Sequence, residues 1–333
     1  MRHLPFPPRH PEGERYTEAG RQMEGAWPPG PATWLLSQRA LQSCPSIESG
    51  MEFEEVERIS AKSGDFIARA GAELRLPQMT IATAMVFFHR HFTVKAFTGI
   101  DHFTLATAAT FLAGKVEDTP KKLKDTVLTM HRLRLRAETG EAEPVWPPPS
   151  KSGKPPEETE AYKIVKREVL QMELELMKTL NFDLNVEHAY QYVLQFAKEL
   201  DAERDLSQVA WNFANDSLRT RLCVQYRAKA LAAGAVHLAA KFLKPKYDQL
   251  LESKFAPIAA DAGTTQADLD EIANQILDLY ERGAAASIRP QLGQTAPSPA
   301  PAPGGAKEEG GVASAAREER AQQERASRQH QPY

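Results

Sequence analysis

Cysteine is nearly missing from this chain of 333 residues: Cys44 and Cys223 are the only two. Two thiols cannot make a disulfide scaffold or a cysteine-based zinc site, and they fit a reducing compartment. A large excess of one charge is also missing. Lys and Arg total 41 against 44 Asp and Glu, a formal net charge of −3. A free-standing nucleic-acid binder is usually strongly basic, so this balance speaks against one. No apolar run opens the chain, so no signal peptide is expected. No segment is long and apolar enough to cross a membrane. Strand-like alternation is scarce, which points to an all-α class. No Gly-rich phosphate loop, no HExxH and no nucleophile–base motif is present, so the chain is not expected to be an enzyme and no cofactor is expected.

What is there is helix. The stretch 102–118 reads HFTLATAATFLAGKVED. On a helix, Leu105, Leu112 and Val116 share a stripe with Ala109 beside them, and small residues fill the other faces. A helix apolar or small all round, yet too short for a bilayer, is a core helix packed on every side. Lys115 is its anomaly, because a positive charge near Ala108 and Phe111 is costly unless something pairs with it.

Further helical spacing is read around this core. A short helix is expected over Trp34 to Leu41. Val56, Ile59, Phe66, Ile67, Ala70 and Leu74 mark the next. Pro77 then breaks the chain before a helix with Ile81, Met85, Phe88 and Phe92. Pro120 ends the core helix, and 121–136 reads as a basic amphipathic helix. The prolines of 138–158 cannot be helix interior and predict a flexible insert. A strong helix follows from near Thr159 to near Leu180. A second block has helices expected at about 187–200, 206–222, 227–243 and 265–282. Residues 1–30 are Pro-rich, and 284–333 lack apolar residues to bury, so both termini are expected to be disordered.

TAATFLAGK at 107–115 aligns with AGAVHLAAK at 233–241. Two copies of one helical unit, each built around its own buried helix, explain this better than one irregular domain.

Glu173 is a second misplaced charge. On the 159–180 helix, Val169, Met172, Leu176 and Leu180 line one side, which Leu170, Leu174 and Met177 widen into an apolar arc. Glu173 falls inside that arc, between Leu180 and Met177. One reading is an internal Lys115–Glu173 ion pair that fixes helix register. The other puts both groups at the rim of an apolar surface made for another protein. The two are compatible. Other charged patterns carry less. His89 and His91 point about 200° apart on a helix, so a shared metal is not expected, and they read as packing or helix-surface histidines. Lys121, Lys122, Lys124, Arg132, Arg134 and Arg136 could attract nucleic acid or a phosphopeptide, but more often form one solvated face.

Several collinear strings resemble the cyclin family. FLAGKVEDTPKKLKD (111–125) is similar to the signature of the first cyclin box, and MVFFHRHF (85–92) to the helix before it. LNFDLNVEHAYQYVLQFAKEL (180–200) resembles the passage into the second box, and WNFANDSL (211–218) and ANQILDLY (273–280) resemble that box. Within the family the strings resemble the cyclin K type most, with cyclin T next. The resemblance covers roughly Trp34 to Gly283. It implies two tandem five-helix boxes around central helices, with a first box at 31–182 that holds the 138–158 insert and a second at 183–283.

The resemblance also implies an activating subunit of a transcriptional cyclin-dependent kinase, acting in the nucleus as a heterodimer. RNA polymerase II enters indirectly, its C-terminal domain being the kinase substrate in elongation. Direct nucleic-acid binding is not expected. The family's interface positions fall on Lys115 and Glu173, with Phe111, Asp118 and Phe182 as further contacts. Asp118 stands where this group often has Glu, and His91 where Phe is usual. Two other classes remain: a general transcription factor of the TFIIB type, which also has paired cyclin-like folds but brings a zinc ribbon and a basic surface, and a kinase scaffold that does not activate.

Overall fold

A computed structural model describes residues 34–142, 144–147 and 155–285. Of the disorder expected for 1–30 and 284–333, Ala284 and Ala285 are instead the end of a helix, and the rest lies outside these residues, as does the 148–154 part of the proposed insert.

The described residues begin with a strap rather than a helix. Trp34 to Ser37 is extended, not helical as expected. The Trp34 indole donates to Asp183 Oδ2 at 3.1 Å, and the Leu36 amide donates to Val224 O at 2.7 Å. Two short helices follow, α1 (Gln38–Gln42), capped by the Ser37 hydroxyl, and α2 (Pro45–Glu48), with proline in its first turn.

Five longer helices make the first unit. α3 (Phe53–Glu73) buries Val56, Phe66, Ile67 and Ala70 along one side. α4 (Gln78–Val94) starts at Pro77, as the sequence suggests. α5 (His102–Val116) is capped by Asp101, whose carboxylate accepts from the Phe103 amide, and it buries Leu105, Ala109, Leu112 and Ala113. α6 (Leu123–Thr139) stops at Gly140, whose φ of +75° is the left-handed conformation glycine takes at no steric cost. α7 (Glu160–Thr179) is capped by Thr159. α5 packs against α3, α4, α6 and α7, which makes it the central helix expected from its composition.

The insert between α6 and α7 is not wholly free. Trp146 stacks on His131 with ring centroids 3.8 Å apart and lies near Tyr162, so its indole covers a small apolar satellite with Val127 and Val169.

The second unit repeats the plan with α8 (Tyr190–Glu199), α9 (Arg204–Ser217), a 3₁₀ turn (Arg221–Val224), α10 (Ala228–Phe242), α11 (Asp248–Asp261) and α12 (Gln266–Ala285). α10 is central and touches α8, α9, α11 and α12. The sequence pattern misses α11. Pro257 lies inside it, and only Phe255 and Ile258 are buried, so neither propensity nor periodicity marks it. Packing makes it: Phe255 lies 5.2 Å from the ring of His237 on α10.

Polar contacts lock the two units along a seam. Arg219 reaches Asp65 at 2.8 Å, Arg221 reaches Glu57 at 2.6 Å, and the His89 ring pairs with Leu218 O at 2.8 Å. Gln78 and Tyr190 both donate to Asn215 Oδ1. Gly64 permits the approach, since a Cβ there would lie 3.1 Å from Arg219 Cα.

His89 and His91 are buried, which corrects the helix-surface option. His91 is 2% exposed and neither ring nitrogen has a partner among the described residues. Burial pushes both imidazoles down to about 4.

Candidate docking face

The site is built where the last turn of α5 meets the C-terminal half of α7. The two helices are packed together, and the small residues of α5 let α7 approach closely. Lys115 comes from the one and Glu173 from the other. Their side chains meet, with Lys115 Nζ donating to Glu173 Oε1 at 2.6 Å. The two misfit charges found by pattern are therefore partners.

They are not equally buried. The Glu173 side chain is 7% exposed and the Lys115 side chain 46%. The sequence expectation of a desolvated ammonium is corrected here. The lysine stem lies along apolar surface and carries its head to the rim. There Nζ sits 4.1 Å from the centroid of the Phe111 ring, a cation–π contact. Glu173 Oε2 makes no hydrogen bond among the described residues. The pair thus offers an outward-facing N–H donor and a carboxylate acceptor on apolar ground.

Phe111 completes this cluster. Asp118 and Phe182 belong to the ends of the same two helices but share no hydrogen bond, ion pair or ring contact with the pair among the described residues. Both are exposed, Phe182 by 66%. Both also have left-handed backbones, with φ of +51° at Asp118 and +58° at Phe182, next to Asn181 at +55°. A bulky side chain at positive φ is strained, and such strain concentrates at functional sites. The Phe182 amide donates to Met177 O at 3.0 Å, which fixes the turn that holds the ring outward.

Two residues of the apolar arc lie at the surface. Leu170 and Leu174 were expected in the apolar arc, yet they are 40% and 45% exposed. The arc splits, with Val169, Leu176 and Leu180 buried. The missed signal was that Lys163 and Arg167 share the side of those two leucines.

Four of the six residues of the basic run are paired within the fold. Arg132 and Arg136 both approach Glu73, Arg134 pairs with Asp101 and Glu138, and Lys124 pairs with Glu157. Among the described residues no cluster of His, Cys, Asp and Glu could hold a metal ion, and no helix is long and apolar enough to cross a membrane.

Comparison with known proteins covers both units. Residues 34–185 match the family described as "Cyclin, N-terminal domain", and residues 188–279 match "Cyclin-T2-like, C-terminal domain". Cyclin-T1-3 of Oryza sativa subsp. japonica is 35% identical over 271 residues, which is 81% of this chain and 51% of that protein. Cyclin-K of Homo sapiens is 32% identical over 263 residues, 75% of this chain and 41% of that protein. The chain thus spans about half the length of the curated relatives it matches. A chain in the crystal structure of the yeast RNA Pol II CTD kinase CTDK-1 complex superposes with a TM-score of 0.56 at 21% identity, covering 75% of this chain and 74% of that one. At that identity the superposition speaks for the fold alone.

Proposed function

The chain belongs to the cyclin family, in the group of cyclins T, K and L, and from that premise we propose that it is the activating subunit of a transcriptional cyclin-dependent kinase. The observation that carries the proposal is the Lys115–Glu173 pair, set beside Phe111 on an open face. A pair that served only to fix helix register would gain nothing from a half-exposed lysine and an acceptor oxygen left without a bond.

In this reading the kinase lays its mobile αC helix against the ends of α5 and α7. Lys115 donates to backbone carbonyls there and Glu173 accepts from amides. Phe111 and Phe182 supply apolar contact, and Asp118 adds an acceptor with a shorter reach than the Glu usual in this group. An active kinase needs its αC glutamate paired with the strand lysine that holds the ATP phosphates. Binding that arrangement more tightly than the inactive one shifts the population toward it. No catalytic group is contributed. The substrate in this reading is the RNA polymerase II C-terminal domain, and the site of action is the nucleus.

The first box is placed at 31–182 and the second at 183–283, which the matched spans 34–185 and 188–279 support. The cyclin T type is favoured over the cyclin K type that the sequence strings suggested first. The second-box match and the 35% against 32% identity both lean that way.

The test is purification of the full chain with its associated kinase, followed by assay on a peptide of the polymerase C-terminal repeat. The expected result is phosphorylation that depends on the chain. Kinase capture without activation would support the scaffold instead. A gel shift on promoter DNA without kinase would support the TFIIB-type reading.

A further inference from the structure

The end of α5 is held from behind. Residues 114–119, its last turn and the bend after it, carry both Lys115 and Asp118. The Glu117 amide donates to Ala113 O at 2.9 Å, and the Thr119 amide donates to Gly114 O at 2.9 Å. These bonds close a helix stop around Asp118, whose φ of +51° is a conformation usually left to glycine. Another residue persists there when its surroundings fix it.

The fixing groups come from α4. Thr80 and Thr83 stand one turn apart on that helix, and both are fully buried. Thr83 Oγ1 donates to Glu117 Oε1 at 2.6 Å, and the Thr80 and Thr119 hydroxyl oxygens are 2.8 Å apart. The neighbours on either side of Asp118 are thus each pinned by one threonine. Packing alone does not ask for this. The buried threonines of α5, Thr107 and Thr110, bond back to their own helix at Phe103 O and Ala106 O. Among the described residues of the turn after α10, none has a positive φ.

Thr83 has a second partner. Its oxygen lies 2.8 Å from His188 Nε2, in the segment that joins α7 to α8. A hydroxyl has one proton, and Thr83 gives it to Glu117, so His188 donates through Nε2–H. The hydrogen bonds run one way, from His188 to Thr83 to Glu117. They join the segment that bears Phe182 to the turn that bears Lys115 and Asp118.

Resting on the kinase reading of Lys115 and Glu173, we propose that Thr83 is a positioning residue for docking, which holds the 114–119 turn in the shape the kinase meets, with Thr80 and His188 assisting. None of the three lies on the docking face: they are 0%, 0% and 6% exposed. They act through the turn and not through contact with the partner.

Variants of the full chain are compared by calorimetric titration with the kinase recovered with the wild type. Thr83→Val keeps the shape of the side chain and removes its hydroxyl. It is expected to weaken kinase binding about tenfold. Thr83→Ser, which keeps the hydroxyl, is expected to restore binding. Thr110→Val deletes a buried hydroxyl bonded within α5 and is expected to bind as the wild type does. In the free chain, amide hydrogen exchange at Glu117 and Thr119 should quicken in Thr83→Val and not in Thr110→Val. Nitrogen NMR should find the His188 ring proton on Nε2. If Thr83→Val does not fold, Thr119→Val at a half-buried position takes its place, with the same changes expected in smaller size. Equal binding by the valine variants at 83 and 110, no rescue by serine, unchanged exchange at Glu117 and Thr119, or a His188 proton on Nδ1 would overturn the proposal while Glu173→Lys still loses the kinase. Normal kinase binding by Glu173→Lys would overturn the kinase reading, and this proposal with it.

Discussion

At the ends of α5 and α10 the same lysine meets different acids. Lys115 bonds Glu173 at 2.6 Å, and the Glu173 side chain is 7% exposed. Lys241, its counterpart in the repeat, reaches Asp270 at 3.4 Å, and the Asp270 side chain is 49% exposed. The residue one turn before each lysine also differs. Phe111 is half-buried under the ammonium group, whereas His237 is buried against Phe255 of α11. The shared parts, a small-residue helix and its terminal lysine, are what the bundle needs. The unshared parts, a buried acid and an uncovered ring, are not explained by the bundle. They are the features on which the proposed docking of a kinase to the first unit rests.

Acid should produce the largest effect. Burial pushes His89, His91, His188 and His237 down to about 4, against about 6.5 in an unfolded chain. Each is held neutral by the fold, so between those values the unfolded state binds more protons. Stability is then full above about pH 6.5 and is lost as pH falls toward 4. At pH 5 the loss is on the order of 2 kcal/mol for each histidine. Urea unfolding at pH 7.5 and pH 5 measures it. Three of the four lie in the first unit and its link to the second, so probes there should report unfolding first. A midpoint that does not move between the two pH values would refute the assignment of neutral rings.

Charge reversal comes next. Glu173→Lys should cost kinase binding about 2–5 kcal/mol, because it leaves a desolvated contact unpaired. Asp270→Lys should cost almost nothing, since half-exposed pairs contribute about 0–1 kcal/mol. Calorimetric titration with the kinase, alongside circular dichroism, separates the two. If Glu173→Lys unfolds the chain, the pair is structural; if both variants bind alike, the contrast between the units has no functional meaning.

The smallest effect distinguishes how tightly the two central helices are packed. A Cβ on Gly234 would lie 2.5 Å from Ile272 Cγ2 on α12, so Gly234→Ala should destabilise by about 1–3 kcal/mol. On Gly114 the nearest atom is the Thr119 carbonyl oxygen at 3.3 Å. The helix propensity gained by Gly114→Ala, about 1 kcal/mol, should offset that crowding. Thermal denaturation of both variants checks the order, and equal shifts would break it.

Much of this was legible because burial leaves a pattern. Lys115 and Glu173 stood out as charges among apolar neighbours on two separate helices, and they meet. The α5 repeat announced α10. The failures have physical causes too. A wheel gives angles but not which side faces inward, so it could not tell that Leu170 and Leu174, at the edge of the apolar arc, are exposed while Val169 and Leu176 are buried. α11 holds Pro257 and a weak stripe, and it packs against α10. The positive φ of Phe182 depends on a turn closed by Met177 O, which no periodicity reveals.

Trp34 comes before every described helix, yet its indole is tied to Asp183, the residue beside Phe182. A chain trimmed just past Trp34 would keep all twelve described helices and lose that tether. The outward-held ring of Phe182 would then hang on a slacker loop, so a residue far upstream in the sequence serves as the guy-rope of that loop.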